Sequence, residues 1–149
     1  MGLIDDIEVP PVIFEVAKTI PEMNDYVKQY MPVFESSMAK CKEYYSDLQE
    51  AIYTIGLYII SYEHAIESLD FSKKQLENAL EKISEITDDN IDEVRNKLNE
   101  DINSNRKIVV HLEDKKGKFE GILEKLNEKS KQVVEKNLSL ERQYTYIKG

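Results

Sequence analysis

The sequence predicts an all-α fold, a long antiparallel helical hairpin, and three observations carry that reading. The first is a heptad: Ile20, Val27, Phe34, Cys41, Leu48, Ile55, Tyr62, Leu69, Leu76 and Ile83 step by seven, as do Ile91, Leu98, Asn105, Leu112, Phe119, Leu126, Val133, Leu140 and Ile147. A sustained seven-residue step keeps one seam of a helix turned toward a partner helix. The second is the gap between the two series, Thr87-Asp88-Asp89-Asn90, where short acceptor side chains compete with helical hydrogen bonds. The third is composition: four prolines, five glycines and no tryptophan leave little turn chemistry for a many-stranded sheet.

The elements follow in chain order. Residues 1–10 read as an irregular lead-in that ends in Pro10-Pro11, because proline disfavours a helical residue before it. One or two short helices are expected over 11–31. Pro11 stands in the first turn of the first helix, and Thr19 with Glu22 forms a capping-box pattern for the second. Pro32 is expected to kink the chain, with a full break as the alternative. The hairpin arms are expected at 33–86 and 91–147, of 54 and 57 residues, which makes each about 80 Å long. Ser72 and Gly117 are local candidates for breaks, but the heptad keeps its phase across both. Asn90 with Glu93 caps the second arm. The short helices are expected to fold back on the base of the hairpin, where Ile13, Val16, Ile20, Met23, Val27 and Met31 would bury an apolar face. The whole chain, 1–149, reads as a single elongated helical domain.

Folding about the turn sets residues opposite one another when their numbers sum to about 177. Gly56 then meets Gly121, Tyr58 meets Phe119, Ala51 meets Leu126, and Ser72 with Lys73 meets Asn105. Facing glycines would allow close backbone approach. A buried Asn layer would fix the register at some cost in stability.

Composition narrows the function classes. The net charge of −9 lies wholly in residues 1–71, and an acidic first half repels phosphate backbones, so nucleic acid is not expected as a partner. The lone Cys41 forms no internal disulfide and no apolar signal stretch opens the chain, so the cytosol is the expected compartment, with export without a signal peptide as the alternative. No phosphate loop, zincin, redox Cys pair or nucleophile elbow is present, and neither an enzyme activity nor a cofactor is expected. His64 and His111 fall near each other in the expected register, with Glu63, Glu67 and Glu113 close in sequence. They are the weak candidates for a metal site.

The most suggestive stretch is Ala51 to Ile60, ten residues without a charge and apolar on every side of a helix. It is far short of the 20 or so residues of a membrane span. Two helices cannot bury it completely, so the amino-terminal helices, an identical subunit or another partner are expected to cover it. Nine tyrosines include Tyr53, Tyr58 and Tyr62 here, and tyrosine suits a half-wet interface. The expected partner-binding residues are therefore Tyr53, Leu57, Tyr58 and Tyr62, in a helical interaction or scaffold protein that self-associates and docks a protein. The alternative is a membrane-acting or exported helical protein that turns this section to a bilayer. In outline such a hairpin is similar to membrane-curving dimers, small type VII secretion partners and the stalks of pore-forming toxins. The residues carry none of these resemblances: there is no Trp-x-Gly turn, no basic face and no long apolar tongue.

Overall fold

The structure, a computed structural model, describes residues 7–10, 25, 27–87 and 90–148. It is an all-α helical hairpin of two long helices packed against each other, α1 (Met31–Ile83, 53 residues) and α2 (Ile91–Lys148, 58 residues). Neither helix breaks at Ser72 or Gly117, as the unbroken heptad phase requires. Among the described residues no backbone has positive φ.

The ends differ slightly from the expected arms, for local reasons. Pro32 does not kink a continuing helix. The chain turns at Gln29 and Tyr30, α1 starts at Met31, and Pro32 sits in its first turn, where a missing N–H leaves no helical bond unmade. The Tyr30 carbonyl accepts from the Val33 and Phe34 amides and so starts the helix. At the other end α1 stops at Ile83 rather than 86. The Ser84 hydroxyl donates to the Glu81 carbonyl at 2.6 Å, and the Ile86 amide closes a tight turn on the Ile83 carbonyl at 3.0 Å. Asp92 and Glu93 in the first turn of α2, and Lys148 in its last, complement the helix dipole.

The chain divides into two compact units, Met1–Tyr53 with Glu124–Gly149, and Thr54–Leu123. In the first unit Phe34, Cys41 and Leu48 of α1 and Val133, Leu140 and Ile147 of α2 form a fully buried seam. Ile7 and Val27 belong to the same cluster, so chain preceding α1 packs on this part of the hairpin. Ile13, Val16, Ile20 and Met23, expected in that contact, lie outside the described residues, as do the Thr19 capping box and most of the 11–31 helices.

In the second unit the seam is shallower. Ile59, Ile102 and Asn105 are buried, while Leu69, Leu76, Leu98, Leu112 and Phe119 are half-buried. Cross-helix contacts give the register. Gln49 donates to Ser130 at 2.9 Å and Tyr144 to Glu35 at 3.0 Å in the first unit, and Lys116 pairs with Glu63 at 3.4 Å in the second; each pair sums to about 179. That is about two residues from the expected alignment, close enough that Tyr58 meets Phe119.

Candidate interaction surfaces

The uncharged stretch of α1 is held in place by an aromatic cluster. Phe119 stacks on Tyr58, with ring centroids 5.4 Å apart and planes 17° apart, and meets Tyr62 at 5.6 Å and 31°. Offset stacking of this kind adds roughly 0.5–1.5 kcal/mol beyond area burial. The rings fasten one side of the stretch and leave the other open. Tyr53 is 69% exposed, Leu57 47%, Tyr58 51% and Ile60 48%, while Tyr62 is half-buried against Phe119. The described residues therefore leave these large side chains uncovered. Tyr53 is the last residue of the first unit, whereas Leu57, Tyr58 and Tyr62 belong to the second.

Two expectations for this stretch need correction. A Cβ built on Gly56 or Gly121 meets nothing within 4 Å, so the helices do not use these glycines to approach closely. Tyr58 and Tyr62 of α1 meet Phe119 of α2 nearby, so ring contacts rather than glycine contacts join the helices at this level. The polar layer is also only partly made. Asn105 is buried as expected, but its side-chain oxygen has no hydrogen-bond partner, and Ser72 is exposed.

His64 and His111 are both exposed. Among the described residues no group of three or more His, Cys, Asp or Glu side chains is placed to hold a metal ion, so the structure brings no carboxylate in to complete a site with them. Among the described residues no helix is long and apolar enough to cross a membrane.

A second surface lies outside the residues that the sequence singles out. An apolar groove of about 430 Å³ runs between α1 and α2 in the first unit, lined by Met38, Tyr45, Val133, Val134 and Leu138 with the Cys41 side chain at its floor. Burial pushes the Cys41 thiol above its ordinary pKa, against the opposing effect of the Lys136 cation. Tyr45 is 41% exposed and Leu138 59%. Lys42 and Glu141 stand at the edges of the groove, and Asn137 donates to the Glu141 carboxylate at 3.1 Å. The signal was present: Val134 and Leu138 are apolar residues that lie off the heptad series and so cannot belong to the hairpin seam.

Comparison with protein-family models, curated proteins and solved structures finds no match to this chain.

Proposed function

We propose that this is a non-enzymatic helical interaction protein that docks a protein partner through residues 51–62 of α1. The observation that carries the reading is the exposure of Tyr53, Leu57, Tyr58 and Ile60 within a stretch that contains no charge. Single exposed apolar residues are ordinary on a protein surface, whereas four within eight positions are not. Helix geometry adds rigidity, so a partner meets side chains whose backbone is already ordered and loses little further entropy on binding. The tyrosines supply apolar area with a hydroxyl that stays hydrogen-bonded in a wet rim. The free Cys41 thiol suits a reducing compartment, and the cytosol is the compartment we assign.

The test is Tyr53→Glu combined with Leu57→Lys. Both side chains are exposed, so circular dichroism should show an unchanged helical fold. Affinity purification from the native cell, with a photo-crosslinking residue at position 60, should recover a partner with the unmodified chain and lose it with the double variant. Burying two unpaired charges is expected to weaken binding by several kcal/mol. Equal recovery by both proteins would overturn the reading. Binding to anionic liposomes that the double variant abolishes would replace it with the bilayer alternative.

A further inference from the structure

We propose that the apolar groove of the first unit is covered by a second copy of this chain, in a twofold arrangement whose axis runs along the two helices. The proposal concerns a different surface from residues 51–62 and does not depend on the docking reading.

The charges in and beside the groove favour this occupant. Glu35 and Lys42 are seven residues apart on α1, so they lie on one stripe, and Met38 and Tyr45 continue that stripe along the groove. Glu141 and Lys148 are likewise seven apart on α2. Tyr144, one turn from each, donates to Glu35 and carries Lys148 5.6 Å from its ring centroid, which places both outer charges at the same end of the groove. Lys42 and Glu141 line the groove itself, while Glu35 and Lys148 lie beyond its lining; along each helix the order is acid then base, and the two helices run in opposite directions. The Glu35–Tyr144 bond and the Gln49–Ser130 bond put Lys42 level with the Asn137–Glu141 turn of α2.

A rotation about an axis parallel to the helices keeps every residue at its own level and lays α1 of one copy over α2 of the other. Lys42 then meets Glu141 of the second copy, Glu35 meets its Lys148, and Tyr45 meets its Leu138. Symmetry makes each contact twice. An axis across the helices would instead lay α1 on an inverted α1 and forfeit these pairings. A purely acidic partner would meet Glu141 on one wall and a purely basic partner Lys42 on the other, and a small apolar ligand would leave both charges without a role.

The experiment is sedimentation equilibrium on the full chain with Lys42→Glu, Glu141→Lys and the two combined. The unmodified protein is expected to be a dimer. Each single reversal should weaken the dimer by about tenfold, since it places like charges at two symmetric positions, and the double reversal should restore affinity to within about threefold. Leu138→Glu, an exposed position read in parallel, should abolish the dimer even if one charge variant folds poorly. Tyr53→Glu with Leu57→Lys should leave it intact. A monomeric unmodified protein would overturn the proposal. So would a dimer indifferent to Leu138→Glu, or single reversals that the double does not rescue.

Discussion

The two units share one heptad and bury it to different depths. Phe34, Leu140 and Ile147 in the first are fully buried, whereas Leu69, Leu76 and Leu112 occupy equivalent steps in the second and are half-buried. Residue type does not explain this, because leucine appears at both depths. The first unit has Ile7 and Val27, from chain preceding α1, packed on its seam. Among its described residues the second has only the two helices. A heptad thus specifies which side chains turn toward a seam, and the number of segments around the seam specifies how much water they lose.

The largest test of this comparison is truncation in the two seams. Phe34→Ala should cost about 3–5 kcal/mol, the range for a fully enclosed aromatic. Leu112→Ala should cost roughly 1–2 kcal/mol, because a half-buried leucine has less apolar area to lose and water already reaches the space it would vacate. Urea denaturation followed by circular dichroism reads both. Equal losses would show that the second seam is as well enclosed as the first.

A smaller effect with the opposite sign comes from one orphaned amide in each unit. The Gln143 and Asn105 side-chain oxygens are both buried without a hydrogen-bond partner. Gln143 donates its amide N–H to Ser139 over a long 3.4 Å, while its carbonyl oxygen has no partner and its lost hydration is uncompensated. Gln143→Met and Asn105→Leu should each stabilise by about 1–3 kcal/mol, read as a higher denaturation midpoint. The two should differ in side effect. Asn105 sits on the heptad series of a two-helix seam, where burying a polar group against an apolar layer disfavours shifted registers, so its replacement should also double some amide resonances as those registers become populated. Gln143 sits in a core that shape already fixes, and its variant should keep one set of peaks.

How much of this was readable in advance follows the same division. The seam, the turn and the approximate register were legible because heptads and short acceptor side chains have local causes. The Tyr58–Phe119 pairing followed from the register alone. The two-residue offset was not legible, since a seven-residue period specifies which faces meet and not how far one helix slides along the other. The groove between Met38 and Leu138 depends on which flank of the seam stays uncovered among the described residues, and a seven-residue period does not specify that flank. The exposed aromatic stretch was legible because an uncharged decapeptide is a visible anomaly; the groove's apolar residues are dispersed among charges.

The smallest effect concerns the glycines. Gly56, Gly117 and Gly121 all lie in the second unit, inside helices, and a Cβ on any of them would stand in open space. Among the described residues nothing therefore uses their lack of a side chain, while each costs helix stability through backbone entropy. Gly56→Ala and Gly121→Ala should each stabilise by about 0.5–1 kcal/mol, narrowing the gap between the units. A loss instead would mean that the helices approach more closely than the structure has them. The same variants also sharpen the functional reading, because Gly56 lies within the proposed docking residues and Gly117 does not. If the partner's backbone comes close at Gly56, Gly56→Ala should raise the melting temperature and weaken partner binding together, whereas Gly117→Ala should raise the melting temperature and leave binding unchanged.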